Sequence, residues 1–323
     1  MNQDNFIKFN SGRKFGVELE VCAYDDRDFK EFRLGNNEMP IGIDDVALTI
    51  MRSTLDKVVI NKWHLTHNNT QWVIKPDSSC GIEICSPIMK STHGARKIAK
   101  VIRSLKNNHN IHVDNRCGFH VHADVSDLGI EEFGAILAWW IKCEAVFLDA
   151  MPAYRKVNRY CQQIGITPTF EHDYDYSAQD IIRRLGLHKY FSINAYHYYR
   201  GNRLTVEFRI AEDVMCLNET DAENWICFLL HFIEMAKLRG MPQDYRYNNQ
   251  WTGLCWLDFK EVMSFMKFEE KLCPKLLEVK NWFIGRLTKN MGNEQGVWSK
   301  DARSVSFSQL SNYINNEMVQ KSV

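Results

Sequence analysis

Ionisable residues sit at alternate positions in four short stretches of this chain, and that spacing is suited to holding charge. In "FGVELEVC", residues 15–22, Glu18 and Glu20 alternate with Val17, Leu19 and Val21. In "GIEIC", Glu83 stands between Ile82 and Ile84. "FHVHAD" sets His120 and His122 on either side of Val121, and "RLTVEFRIA" opposes Thr205, Glu207 and Arg209 to Val206, Phe208 and Ile210. Residues two apart on a strand share a face, so each stretch, read as a strand, is apolar on one side and ionisable on the other. Four glutamates, two histidines and an arginine on one surface need cations to offset carboxylate repulsion. Oxygen ligands with one or two imidazoles suit Mg²⁺ or Mn²⁺ better than a thiolate-type zinc site. A single E-x-E or H-x-H is what any solvated sheet face offers. The four together, with no lysine at these positions, point to a site.

Such a site requires the strands to lie in one sheet, with the polar side open to a cleft and the apolar side against helices. The pattern predicts a first strand from Lys14 to about Tyr24, a charged loop "DDRDFKEFRLGNNEMP", and a helix from about Asp44 to Val59. "HNNTQWVIKPDSSCGIEICSPI" reads as two strands joined by a polar turn. Ser91 or Thr92 is placed to cap the helix that follows, "HGARKIAKVIRSLKNN". After the strand "CGFHVHADV", a long amphipathic helix runs from about Ile130 to Met151, where Pro152 stops it. "NRYCQQIGITPTFEHDYDYS" has no period and reads as a long loop. "KYFSINAYHYY" and "RLTVEFRIA" are expected to form a hairpin around "RGN". The helix "ETDAENWICFLLHFIEMAKLRG" should end at Gly240. Beyond it, "LDFKEVMSFMKF", "PKLLEVKNWFIGRLTKN" and "FSQLSNYINNEM" read as helices. The expectation is an α+β catalytic-type body over residues 1–240 and a helical C-terminal extension over 241–323.

Of the 323 residues, 45% are hydrophobic and 12% aromatic, enough for a sizeable core and against intrinsic disorder. Forty basic residues balance forty acidic ones, so no global field attracts polyanions, and bulk nucleic-acid binding is not supported. The polar start "MNQDNFIKFNSGRKF" has no signal-like apolar run, and "AILAWWI" is too short to span a bilayer. Ten cysteines without a C-x-x-C pair suit reduced, buried thiols better than a disulfide framework or a zinc ribbon. The expected setting is cytoplasmic, without membrane attachment.

No Walker-type phosphate loop, nucleophile elbow or dinucleotide fingerprint is present. Taken in order, however, "KFGVELE", "PDSSCGIEICSPI", "CGFHVHAD" and "RLTVEFRIAE" resemble the amidoligase family. Its members are carboxylate–amine ligases related to glutamine synthetase and glutamate–cysteine ligase. The resemblance covers about Lys14 to Gly240 and implies a glutamine synthetase-like antiparallel sheet, curved around a polar catalytic face, with helices packed behind. It implies ATP and Mg²⁺ or Mn²⁺ as cofactors, with Glu18, Glu20, Glu83, His120 and Glu207 as metal ligands. His122 would lie near the nucleotide. Arg209 would hold the transferred phosphoryl group, with Arg203 or Arg200 assisting. Asp77, in "PDSS", resembles the acid that receives the amine, although the usual glycine after it is a serine here. Tyr160 and Asn194 lie in stretches that also echo the family, without an assigned role. The implied chemistry activates a carboxylate as an acyl phosphate, which an amine then attacks.

The acid and amine partners, whether small molecules or peptides, are set by loops and are not legible. Relatives with this fold often assemble, so a homo-oligomer remains open. Two alternatives stay open as well. One is a cupin-like metalloenzyme using "HVH", although the stretch after it offers Asp127 and no glutamate before Glu131. The other is a non-catalytic binding protein on the same fold.

Overall fold

The structure is a computed model, and it describes residues 12–23, 43–61, 69–107, 111–164, 177–242, 257–268, 273–293 and 307–320. The expected loop from Asp25 to Pro40, and residues 165–176 of the second expected loop, lie outside the described residues. The chain packs as two compact units. One comprises residues 1–124 and 207–230, the other residues 125–206 and 231–323.

The first unit is built around a sheet whose middle strand is β1 (Lys14–Ala23). The other strands are β2 (Val58–Ile60), β3 (Trp72–Asp77), β4 (Gly81–Cys85), β5 (Met89–Lys90), β6 (Ile111–His112), β7 (Phe119–Asp124) and β9 (Thr205–Ala211). Their order is β2-β3-β4-β1-β7-β9, with β5 and β6 also paired to β1. The pairings of β1, and that of β3 with β4, are antiparallel. The β2–β3 pair is parallel, so the sheet is not antiparallel throughout. Phe15, Val17, Leu19 and Val21 on one side of β1 are fully buried. Helix α2 (Ser91–Lys106) backs this side: a Cβ on Gly94 would fall 3.2 Å from the Phe15 ring and 2.7 Å from Met89 Cβ. Glycine suits this position because the Met89 and Phe15 side chains already fill the space a Cβ would take. Helix α1 (Ile43–Thr54) precedes β2. The start of α7 (Glu219–Arg239) meets α2 through Arg103–Glu219 at 3.3 Å.

The second unit is mostly helical. It holds α3 (Ile130–Asp149), α4 (Ala153–Lys156), α5 (Ala178–Gly186), a short strand β8 (Ile193–Asn194) and α6 (Tyr196–Tyr199). The last residues of α7, then α8 (Phe259–Met266), α9 (Pro274–Asn293) and α10 (Phe307–Gln320), complete it. Helix α3 is buried almost all round, and its Trp140 and Phe147 rings pack at a tilt with centroids 5.1 Å apart. Glu144, in the middle of α3, has no solvent exposure. Both its oxygens accept from the Ile164 N–H at 3.0 Å, and the Ser192 hydroxyl donates to it as well. Trp140 Nε1 in turn donates to Ser192 at 2.9 Å, so this buried polar group is fully paired.

Three local expectations are corrected. The helix expected to reach Val59 ends at Thr54, because Leu55 takes the left-handed conformation (φ 62°) and "VVI" forms β2 instead. The residue at the cap position of α2 is Lys90 rather than Ser91 or Thr92; Ser91 opens the helix in the left-handed conformation (φ 54°), and its hydroxyl accepts from the His93 N–H at 3.4 Å. The stretch "KYFSINAYHYY" is a strand only at Ile193–Asn194, after which Tyr196–Tyr199 turns into a helix. Gly240, with φ 66°, does follow the last residue of α7.

Candidate functional site

The polar side of β1 is where the ionisable residues meet. Antiparallel pairing sets Glu18 beside Cys85 of β4 and His120 of β7. One step along, Glu20 lies opposite Glu83, which lies opposite Lys75 of β3. Gly16 pairs with His122. Residues that register brings opposite one another, on alternate positions of antiparallel strands, project to the same face. The result is a band of acids, imidazoles and one lysine across β3, β4, β1 and β7, with Glu207 and Arg209 added from β9.

The distances are short. His120 Nδ1 lies 3.5 Å from Glu207 Oε1, 3.7 Å from Glu18 Oε2 and 3.8 Å from Glu20 Oε1. His122 Nε2 lies 3.3 Å from Glu18 Oε2 and 3.9 Å from Glu207 Oε1. Arg209 pairs with Glu207 along the strand. Lys75 Nζ is 2.6 Å from Glu83 Oε1, and the Cys85 thiol donates to the same oxygen at 2.9 Å. Glu20, Glu83, His120 and Glu207 are buried. On this face, among the described residues, two sets of donor atoms approach closely enough to share an ion, each within 4.8 Å of one another: Glu18, His122 and Glu207, and Glu18, Glu83 and Cys85.

A family model described as "Putative amidoligase enzyme" matches residues 11–233. The chain belongs to that family. Amidoligase membership supports a carboxylate–amine ligase in general. No curated protein matches the chain. Among solved structures, it is similar to a bifunctional glutathione synthetase from Pasteurella multocida, at 11% identity and a TM-score of 0.42. The similarity covers 98% of this chain and 53% of that one, so the chain spans about half the length of that protein.

Within this amidoligase face the charges are strongly tuned. Burial alone would raise the pKa of Glu18, but the imidazoles of His122 and His120 overcome it and hold the carboxyl well below its usual range. Glu207 is likewise lowered against burial, chiefly by Arg209 and His122. Glu83 goes the other way: burial and the nearby charge of Glu18 push it up to about 7, against the pull of Lys75. Lys75 is raised, because Glu83 outweighs the burial that would neutralise it. The two histidines diverge. Burial and Arg209 take His120 down to about 4, whereas Glu18 and Glu207 overcome burial and lift His122 to about 9. In the metal-free protein His120 is therefore neutral and His122 carries a proton at neutral pH.

All seven ionisable residues picked out by alternation thus share one face. Asp77 ends β3 on the same strand alternation as Lys75, but its Oδ1 is committed to the turn. It accepts from the Ser79 N–H at 2.7 Å, the Ser79 hydroxyl and the Cys80 N–H at 3.2 Å. These bonds lower its pKa against burial. Arg200, Arg203, Tyr160 and Asn194 belong to the second unit. There the Arg200 guanidinium lies 5.4 Å from the centre of the Tyr196 ring.

Two members of the face were missed in the sequence. Lys75 was passed over because only the β3–β4 register reveals its partner, although its place two residues before Asp77 on a strand was readable. Cys85, two residues after Glu83, was read only as a buried thiol.

The residues fit a divalent ion by their own chemistry. His122 Nε2 is buried and has no hydrogen-bond partner of good geometry, while facing two carboxylates. Such a nitrogen could coordinate an ion once its proton is lost. Glu18, His122 and Glu207 have donor atoms within 4.8 Å of one another, with His120 and Glu20 adjoining. Glu83, already engaged by Lys75 and Cys85, would need to release one of them.

Proposed function

We propose that this chain is an ATP-dependent carboxylate–amine ligase working through an acyl phosphate at a divalent-metal site on a glutamine synthetase-like sheet. The observation that carries this reading is the convergence of Glu18, Glu20, Glu83, His120, His122, Glu207 and Arg209 from four neighbouring strands onto one face, in a chain of the amidoligase family. Mg²⁺ or Mn²⁺, when bound, would neutralise phosphate charge and polarise the transferred group. Glu18, Glu20, His120 and Glu207 would hold the ions, with Glu83 joining when Lys75 lets go.

The chain's own residues account for the remaining work. Arg209 is a fixed cation on the same face and would hold the phosphoryl oxygens as charge develops. Arg200 and Arg203 are proposed helpers. His122 would hold its proton near the nucleotide in the metal-free state and give it up when an ion engages its Nε2. Asp77 would receive the ammonium and take its proton through Oδ2, since Oδ1 is occupied by the turn. A carboxylate resists an incoming amine because of its charge, and phosphorylation removes that charge while creating a leaving group.

Pools of acids and amines, incubated with ATP and Mg²⁺ and followed by ADP release and product mass, test the proposal. ADP release should require both an acid and an amine. Glu207→Gln and Arg209→Ala should each lower turnover about 10²–10³-fold, the usual loss for one electrostatic contact to the transition state. Full turnover in both variants would refute the site. The cupin-like alternative is disfavoured because Asp127, the carboxylate it would recruit, pairs with Lys237 at 3.5 Å. Tightly held iron without nucleotide affinity would restore it, and partner binding without Mg-ATP affinity would favour the non-catalytic alternative.

A further inference from the structure

The polar side of β1 continues beyond Glu20 to Cys22, where the chemistry changes from oxygen to sulfur. Cys22, Cys80 and Cys117 form one buried cluster with Val113 packed against it. Cys22 Sγ lies 3.6 Å from Cys117 Sγ, and its thiol donates to Asp114 Oδ2 across 3.6 Å. His112 is the cross-strand partner of Cys22 on β6. A nitrogen of its ring, the Cys22 sulfur and an Asp114 oxygen all lie within 4.8 Å of one another. In the sequence, "IHVDNRC" delivers His112, Asp114 and Cys117 from a single tight segment, and the Cys117 N–H closes it on the Asp114 carbonyl at 2.9 Å.

From this arrangement we propose a second metal site, with Cys22, Cys117, His112 and Asp114 as ligands to a thiophilic divalent cation of the zinc class. Zinc–sulfur bonds of about 2.3 Å and zinc–oxygen bonds of about 2.0 Å put two tetrahedral sulfurs about 3.8 Å apart and a sulfur–oxygen pair about 3.5 Å apart. The Cys22–Cys117 and Cys22–Asp114 separations match these edges. The His112 side chain is exposed and free to swing onto the remaining vertex. Arg116 now holds the charge of Asp114, with Nη2 at 2.7 Å from its Oδ2 and 3.5 Å from Cys22 Sγ. Its side chain is about one-third exposed, so an entering dication displaces it to solvent. Four protein ligands leave no open position, which makes the site structural, fastening the end of β1 to the segment before β7. Sulfur and nitrogen donors also separate it from the neighbouring carboxylate face, which favours Mg²⁺ or Mn²⁺.

Co²⁺ added to the reduced full-length chain tests this independently of any ligase activity. A near-ultraviolet thiolate-to-cobalt band should appear, vanish in Cys22→Ser and Cys117→Ser, and persist in Cys85→Ser and Glu18→Gln. Because buried cysteine variants can fail to fold, exposed His112→Ala gives a second readout. Its affinity for Zn²⁺, measured by competition with a chromophoric chelator, should fall at least about tenfold, and the rise in Tm that Zn²⁺ gives the parent chain should shrink. Absence of the band in folded protein, its survival in Cys22→Ser, unchanged zinc affinity in His112→Ala, or a Cys22–Cys117 disulfide formed in place of metal uptake would each overturn the proposal.

Discussion

Glu83 has three neighbours pulling on it at once: Lys75, the Cys85 thiol and the charge of Glu18. Its pKa of about 7 sets a clear expectation for the metal-free protein. A folded-state value raised above the usual carboxylate range means that the neutral acid is the stable form below it, and that stability falls as pH rises through about 7. Lys75 matters only when Glu83 is ionised. Lys75→Met should therefore cost little near pH 5 and about 1–3 kcal/mol near pH 8.5, where it strands a buried anion. Denaturant unfolding at the two pH values checks this, and equal costs would refute it. A second expectation concerns His122. Glu18 is the first of the charges that lift it to about 9, so Glu18→Gln should bring its titration midpoint down, as read by ring NMR without divalent ions. At this scale much of the site was legible, because strand alternation is a local rule that places Glu18, Glu20, Glu83, His120, His122, Glu207 and Arg209 without knowledge of neighbours. Lys75 and Cys85 were not, because what they do depends on which strand lies beside theirs.

Elements behave similarly. Helices α2, α3 and α7 were readable from their apolar periodicity, and Gly240 from its position. The short strand β2 was lost inside a longer helical pattern because the left-handed turn at Leu55 has no glycine to announce it. The hairpin was over-read because aromatic, β-prone residues at 196–199 wind into a helix, as tertiary context overrides propensity. Close helix contact is equally hidden. Gly134 of α3 faces α5, where a Cβ would come within 2.4 Å of Ala178 Cβ and 2.7 Å of its Cα. Gly134→Ala improves helix propensity by about 1 kcal/mol, but the clash is with backbone and cannot be relieved by a rotamer change. A net loss of about 1–3 kcal/mol is expected, seen as a lower thermal midpoint. A gain in stability would show that α3 and α5 can separate without cost.

For the whole molecule, the two units are each assembled from separated stretches, residues 1–124 with 207–230 and 125–206 with 231–323. No local signal along a chain announces such interleaving. Among the described residues, no helix is long and apolar enough to cross a membrane. Eight of the nine described cysteines are buried, and all nine are free thiols, as their spacing suggested. Acid stability has a built-in limit in the second unit. His231 is buried, its Nε2 meets the Met266 carbonyl, and burial lowers it to about 4. A depressed folded-state pKa contributes stability that is present above about 6.5 and is lost as pH falls through about 4. His231→Asn should flatten the acid limb of the stability profile, and an unchanged limb would assign it elsewhere. The central position of β1 has a wider effect. Because side chains alternate, slipping this strand by one residue would turn Phe15, Val17, Leu19 and Val21 outward and drive its glutamates into the apolar layer. Only the correct pairing lines up carboxylates from separate strands for a dication to bridge. The divalent ion proposed for this face would then proofread assembly, rewarding native alignment and withholding that reward from every misaligned competitor; on that proposal, a chain made in an ion-starved cell should yield less folded product.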